Sequence, residues 1–247
     1  MAANLDDLEA LRRREAAAAA YETSRISLSM KDVAHNYDDV YAPLQDDSRF
    51  LMNTLVTLLS EVRYRCFTVV EVCCGAAPNA TLMARLLPES VVFACDVSVS
   101  ALEAARSVVD GSHASVHLSR MALLSAFRPH SVDLVIALPP YVASTRMTAA
   151  DAAAVAVAGG TSSCLADAEW VFLGGAEGTD VVECLVRDDL CRVLSPTGFA
   201  LVCVGIDHDA QKIGAVVERA SNGQLAASVE SENAEDRCIV YRIERTS

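Results

Sequence analysis

Three short segments carry the residue types that could do chemistry. The run Glu71-Val72-Cys73-Cys74-Gly75-Ala76-Ala77 ends a β-branched stretch in small side chains, just before a helix-forming segment. Small residues let a backbone approach a ligand closely, and the N-terminus of the following helix favours negative charge. Alone, with one true glycine, the segment reads equally as an ordinary tight turn between strand and helix. Asp96 closes the next apolar run, 25 residues after Glu71, near the spacing at which an acid accepts hydrogen bonds from ribose hydroxyls. With Val97 beside it, Asp96 points to a nucleoside site; the competing reading is a helix N-cap by Asp96 or Ser98. In the third segment, the strand-like run Val132 to Ala137 passes straight into Leu138-Pro139-Pro140-Tyr141, a rigid turn, because proline cannot continue a sheet ladder.

These residues need a scaffold, and the hydrophobic pattern supplies one. Leu51, Leu55, Leu58, Leu59 and Val62 recur at helical spacing from Ser48 to Arg63. Strands are predicted at Phe67 to Val72, Val91 to Cys95, Ser115 to Leu118 and Val132 to Ala137, with helices at Ala80 to Leu87 and Ala101 to Val109 between them. Strands separated by helices imply parallel pairing. Residues 143–169 break this rhythm and read as a long loop overhanging the carboxyl edge of the sheet, where open α/β folds bind ligands. A helix from Asp180 to Leu194, the turn Leu194-Ser195-Pro196-Thr197-Gly198 and a strand from Phe199 to Val204 follow. A helix from Gln211 to Ala220 and a hairpin of Leu225 to Val229 with Cys238 to Ile243 end the chain, for about seven strands.

The 247 residues carry 20 Lys and Arg against 33 Asp and Glu, so the formal charge is 20 − 33 = −13. Such acidity argues against a grip on a nucleic-acid backbone. No stretch reaches the roughly 18 consecutive apolar residues of a membrane span, although 52% of the chain is hydrophobic and mean hydropathy is +0.28. Nine cysteines, an odd count without a Cys-x-x-Cys pair, read as reduced core thiols, and the five histidines lack metal-ligand spacing, so no metal is expected. Residues 1–30 form an Ala-rich extension ahead of a domain over 31–247. Its Arg12, Arg13 and Arg14 follow Asp6, Asp7 and Glu9, which favours the cytoplasm over a mitochondrial address.

The turn Leu138-Pro139-Pro140-Tyr141 resembles the Asn-Pro-Pro-Tyr signature of S-adenosylmethionine-dependent methyltransferases that modify an amide or exocyclic amino nitrogen. Asp39-Val40-Tyr41-Ala42-Pro43-Leu44-Gln45-Asp46 is similar to the Asp-Val-Tyr-Glu-Pro-x-Glu-Asp segment of the HemK-like branch that acts on eukaryotic and archaeal release factors. Trp170, Gly174, Gly175 and Gly178 resemble its Trp-x-Gly-Gly-x-x-Gly segment, and Leu194 to Gly198 its Leu-Ser-Pro-x-Gly turn. The resemblance runs in order from Asp39 to Ile243. It implies a class I methyltransferase Rossmann-like α/β fold: a seven-stranded, mostly parallel sheet with a terminal antiparallel hairpin. It also implies S-adenosylmethionine held by Asp47, Glu71, Cys73, Gly75, Asp96 and Val97, with Leu138, Pro139, Pro140 and Tyr141 at the reaction. The substrate implied is a protein, the glutamine in the Gly-Gly-Gln loop of a class-1 release factor. The partner implied is a small zinc-binding activator subunit, whose contact would account for the apolar surplus.

The departures from that pattern fall at the site. Leu138 stands where the family has Asn, so the side chain that would accept from the target amide is gone. Cys73 and Ala77 replace two loop glycines, and Gln45 and Asp47 replace Glu and Thr. Arg120, which only donates, falls where the family carries an acid. Two readings follow on one fold. One is an active methyltransferase that accepts a different nitrogen, such as a lysine amine; the other is a catalytically impaired member serving as a structural subunit. Amino methylation of nucleic acid is the third, and the charge opposes it.

Overall fold

β-branched and largely apolar runs build the centre of the sheet, and the small-residue and proline segments after β1 and β4 end those strands. The computed structural model describes residues 46–58, 67–143, 173–205, 207–235 and 237–246. The Ala-rich extension, the segment Asp39 to Gln45, Trp170 and all but the first residue of the 143–169 loop lie outside the described residues. Helix α1 covers Asp46–Thr57, β1 Thr68–Val72, α2 Pro78–Leu86, β2 Val91–Asp96, α3 Val99–Ser112, β3 His117–Arg120 and β4 Val132–Ala137. Helix α4 is α-helical over Asp180–Cys184, a π-helix over Leu185–Leu190 and α-helical again over Cys191–Val193. Then come β5 Leu194–Gly205, α5 Ala210–Ser221, β6 Leu225–Asn233 and β7 Cys238–Arg245.

The sheet order is β3-β2-β1-β4-β5-β7-β6. Strands β1 to β5 pair in parallel, and β7 runs antiparallel to both β5 and β6. The chain therefore winds outward in one direction from β1 to β3 and in the other from β4 onward. The loops after β1 and β4 part at the carboxyl edge and leave the crevice where open α/β sheets take ligands. The expected seven-stranded fold with its antiparallel hairpin is the observed one.

Alternation of side chains fills two layers. Val69, Leu134, Ile136 and Leu201 face α1, α2 and α3, where Leu51, Leu55, Leu82, Ala104 and Val108 are buried against them. Val70, Val135, Ala200 and Val202 face the other way, onto Val182, Leu185, Leu190, Ile213 and Val217 of α4 and α5. The seven described cysteines are free thiols, and burial pushes Cys95 up to about 12, so it packs as a protonated hydrophobe.

Helix α1 is described over Asp46–Thr57, where Thr54 and Thr57 turn their hydroxyls back onto the carbonyls of Phe50 and Asn53, and residues 59–63 of the helix expected to Arg63 lie outside the described residues. One element departs from expectation for a local reason. Strand β5 begins at Leu194, before the Ser-Pro-Thr-Gly segment, which forms a wide bulge between the pairs Val132–Leu194 and Leu134–Phe199. Asp133 closes that bulge. Its Oδ1 accepts from Ser195 Oγ at 2.7 Å, and its Oδ2 accepts from the amides of Phe67 and Thr68 at 3.0 Å, so one carboxylate joins the starts of β1, β4 and β5. Gly198 is required there, since a Cβ would lie 2.7 Å from the Val132 carbonyl oxygen.

Candidate active site

The loop from β1 to α2 follows an unusual path. Cys73, Gly75 and Ala77 have φ of +51°, +49° and +56°, the left-handed region that strains side chains other than glycine. The amide of Cys74 extends the sheet ladder to the Cys95 carbonyl at 3.1 Å, and Ala77 donates to the Cys74 carbonyl at 2.7 Å. Among the described residues the space above Gly75 is open: a Cβ built there meets none of their atoms within 4 Å. The two glycine replacements therefore keep the glycine conformation under strain. We expect Cys73→Gly to raise stability by up to about 1 kcal/mol, or about 2 to 4 °C in melting temperature. A fall in melting temperature would show that the thiol contributes more than the strain costs.

Asp96 fixes this loop from the end of β2. Its Oδ2 accepts from the Gly75 amide at 3.0 Å and its Oδ1 from the Ser98 amide at 2.9 Å. Burial raises its pKa, and those amide hydrogen bonds work against the rise. An ionised carboxylate has about four acceptor positions, so hydroxyl donors can still be received at its rim. The N-cap of α3 is Ser98, whose hydroxyl accepts from the Ala101 amide at 3.2 Å. Asp96 is thereby left to the loop. The Val97 carbonyl accepts from Arg120 Nε at 3.1 Å, which puts a guanidinium at the outer rim of the crevice.

Glu71 is turned inward. It lies on the face of β1 that packs against α2, 2% exposed, where the pattern would otherwise place an aliphatic side chain. Its Oε2 accepts from the Ala80 amide at 2.7 Å and its Oε1 from Asn79 Nδ2 at 2.6 Å. Ala77 offers no side-chain cap to α2, so Glu71 caps that helix from a distance, with Pro78 at the first turn where no amide is missed. Both carboxylate oxygens face the helix.

Burial is the largest influence on Glu71 and raises it from an ordinary 4.5 to about 7, against the hydrogen bonds that lower it. A carboxyl whose pKa is higher folded than unfolded stabilises the fold through its protonated form. That contribution is complete below the unfolded value and is lost as pH rises through the folded one. Stability is thus expected to fall by on the order of 3 kcal/mol between about pH 4.5 and 7 on account of this group. Glu71→Gln, neutral throughout, should flatten that window in urea unfolding; an unchanged slope would show that another group titrates.

The turn after β4 is held from several sides. Pro139 is buried, and Leu138 is half-buried against the core layer of α1, α2 and α3, with a side chain that can accept no hydrogen bond. Tyr141 donates its hydroxyl to Asp47 Oδ2 at 2.9 Å. Asp47, 4% exposed at the start of α1, also accepts from the Ser48 amide at 2.7 Å. Burial and the neighbouring Asp47 carboxylate both raise the Tyr141 pKa, so the phenol remains a donor. Glycines occupy the approaches. A Cβ on Gly174 would meet the Pro140 carbonyl oxygen at 2.5 Å, one on Gly178 the Tyr141 carbonyl oxygen at 2.2 Å, and one on Gly205 the Tyr141 ring at 3.0 Å. His208 Nε2 lies 2.8 Å from the Tyr141 carbonyl oxygen.

Gly75, Asp96, Cys73 and the Leu138-Pro139-Pro140-Tyr141 turn thus gather at the carboxyl ends of β1, β2 and β4. Asp47 backs the turn through Tyr141, and Glu71 backs the loop through α2. Sequence reasoning missed His208 and Gly205, although both stand at the carboxyl end of β5, the next strand on the same edge. Among the described residues no three His, Cys, Asp or Glu side chains gather as a metal site, and no helix is long and apolar enough to cross a membrane.

Comparisons with known proteins bear on the family and the fold. Residues 40–165 match the model of the methyltransferase small domain. The chain is 35% identical over 137 residues to the ribosomal protein uL3 glutamine methyltransferase of Bradyrhizobium diazoefficiens; the match covers 55% of this chain and 39% of that protein. Among solved structures, a methyltransferase from Pyrococcus furiosus has a TM-score of 0.55 at 17% identity, covering 88% of this chain and 94% of the other. The ribosomal protein L11 methylase of Lactobacillus delbrueckii subsp. bulgaricus has a TM-score of 0.54 at 14% identity, covering 83% and 82%. At such identities the structures speak for the fold.

Proposed function

The chain belongs to the methyltransferase small domain family, and on that footing we propose that it is an S-adenosylmethionine-dependent methyltransferase acting on a nitrogen of a protein side chain. The proposed acceptor is the glutamine of a Gly-Gly-Gln release-factor loop. One observation carries the reading: the Pro139-Pro140-Tyr141 turn and the left-handed Cys73 to Ala77 loop share the carboxyl edge of the sheet. The residues fit the cofactor chemically. Open space over Gly75 admits an atom against the backbone, and Asp96 retains acceptor positions suited to ribose hydroxyls. When bound, the cofactor supplies a methyl group on a positively charged sulfur.

The chain's own residues would do the rest. Asp96 and the Gly75 backbone hold the nucleoside, and the Pro139 carbonyl accepts an N–H of the acceptor. The flat Tyr141 ring borders the acceptor, fixed by Asp47. The uL3 relative is a glutamine methyltransferase by name, which supports an amide acceptor and a protein substrate. Because the chain spans 39% of that relative's length, its substrate here is this proposal and no more. A small zinc-binding activator subunit is the proposed partner. Among the described residues strand β3 is an edge of the sheet, and Val91 and Val99 on the neighbouring strand and helix are exposed.

The test uses the full chain, produced with and without the activator, methyl-labelled S-adenosylmethionine and a release factor bearing Gly-Gly-Gln. Mass spectrometry should find one methyl group on that glutamine. Transfer to no protein acceptor would overturn the reading. Leu138 favours a second acceptor, a lysine amine. A neutral amine keeps its lone pair localised, whereas an amide nitrogen needs acceptors on its hydrogens to free its own. A lysine peptide methylated in preference to the glutamine peptide would select that acceptor.

A further inference from the structure

Two consecutive prolines leave the turn after β4 poor in backbone donors. Pro139 and Pro140 have no N–H, so the ladder that holds β4 cannot continue through them. The turn must then be anchored through its carbonyls and side chains. Tyr141 O receives His208 Nε2 at 2.8 Å, Val142 O receives the Gly174 amide at 2.9 Å, and the Tyr141 hydroxyl reaches Asp47. His208 is the one side chain among these that reaches a backbone atom of the turn.

The surroundings of His208 are built around that contact. Its amide donates to the Gly205 carbonyl at 3.0 Å, and its own carbonyl accepts from the Tyr241 hydroxyl at 2.7 Å, so strands β5 and β7 fix its backbone. Its ring meets the Tyr141 ring edge to face, 6.3 Å between centroids at 76°. Gly178 leaves the necessary room, since a Cβ there would come within 2.8 Å of His208 Cε1. A carbonyl only accepts, so Nε2 carries the proton and Nδ1 is left as the lone-pair nitrogen. Nδ1 is buried without a hydrogen-bond partner among the described residues. Protonating it would place a charged N–H where none of them accepts, and burial lowers the pKa; Lys212 lowers it further, and Asp207 and the Tyr141 hydrogen bond oppose.

We propose that His208 is a positioning residue, which holds the Pro139-Pro140-Tyr141 turn in shape for the methyl acceptor by donating its Nε2 proton to the Tyr141 carbonyl. This rests on the proposed function, in which that turn presents the acceptor.

The test compares the full-length wild type with His208→Leu, which keeps apolar bulk but cannot donate, and His208→Gln, whose amide Nε2–H has a similar reach. Hydrogen exchange read by mass spectrometry should be about tenfold faster across residues 138–143 in His208→Leu and near wild type in His208→Gln. Exchange in β1 and α2 should be unchanged in both. In transfer assays kcat should drop about tenfold in the leucine variant and recover in the glutamine variant, with affinity for S-adenosylhomocysteine preserved. Unchanged exchange in His208→Leu, or His208→Gln exchanging as fast as the leucine variant, would overturn the proposal. If the wild type binds the cofactor product but methylates nothing, the proposed function fails and the exchange comparison still decides the role of His208.

Discussion

Leu138→Asn is expected to raise the rate of methyl transfer to a glutamine carboxamide by about 10²-fold, the size of effect seen when one preorganised hydrogen-bonding group is removed from a reacting centre. The amide nitrogen shares its lone pair with the carbonyl. An acceptor on its N–H draws density back to nitrogen as attack proceeds, and in the proposed site the Leu138 side chain cannot accept, which leaves that duty to the Pro139 carbonyl. A leucine side chain also leaves a buried amide hydrogen unpaired, which costs about 1 to 3 kcal/mol. The substitution is not free for the fold. Leu138 packs against the core layer of α1, α2 and α3, and asparagine there should cost about 1 to 2 kcal/mol of stability. Kinetics on a Gly-Gly-Gln peptide check the first expectation and urea unfolding the second. An unchanged rate would mean that residue 138 does not face the acceptor. A lysine peptide, needing no such acceptor, should gain nothing.

Gly178→Ala is expected to cost about 3 kcal/mol and to lower transfer by at least about two orders of magnitude. Three constraints meet at this residue. Its φ is +73°, and the added Cβ would sit 2.2 Å from the Tyr141 carbonyl oxygen and 2.8 Å from His208 Cε1. The first of those contacts is with backbone, which no rotamer change relieves, so the turn itself must move. Gly214→Ala is the matched control. In the body of α5 a Cβ at that position meets nothing within 4 Å, and alanine should stabilise the helix by about 0.5 to 1 kcal/mol. Paired denaturation curves and single-turnover rates separate the two. Equal behaviour of both variants would show that the glycines behind the turn do not hold it.

What the sequence reveals of this fold and site depends on the range of each interaction. Strands β1, β2 and β4 are readable from their β-branched and apolar runs, and the hairpin from two runs around a polar turn, because those patterns are local. The start of β5 is not, since Ser195 to Gly198 has the composition of a turn and becomes a bulge only when Asp133 on the neighbouring strand reaches across to Ser195. The helix from Asp180 was readable, but nothing in its apolar spacing announced the π-helical stretch Leu185–Leu190. Asp96 could be singled out by its spacing from Glu71, yet its bond to the Gly75 amide and the separate capping duty of Ser98 needed geometry. The motif places Glu71 at the cofactor loop but does not reveal that its oxygens meet Asn79 and Ala80, because this depends on the helix after the loop turning its uncapped end back over β1. His208 was invisible for the same reason that Asp47's bond to Tyr141 was: its partner lies 67 residues away and is met only when β4 and β5 lie side by side.

The central claim is that the crevice at the carboxyl ends of β1, β2 and β4 binds S-adenosylmethionine. Calorimetry on the full chain, produced with its proposed activator subunit and titrated with S-adenosylhomocysteine, tests it most directly. One site with a micromolar dissociation constant, about −8 kcal/mol, is expected, while no detectable heat at millimolar ligand would show that the crevice does not bind the cofactor.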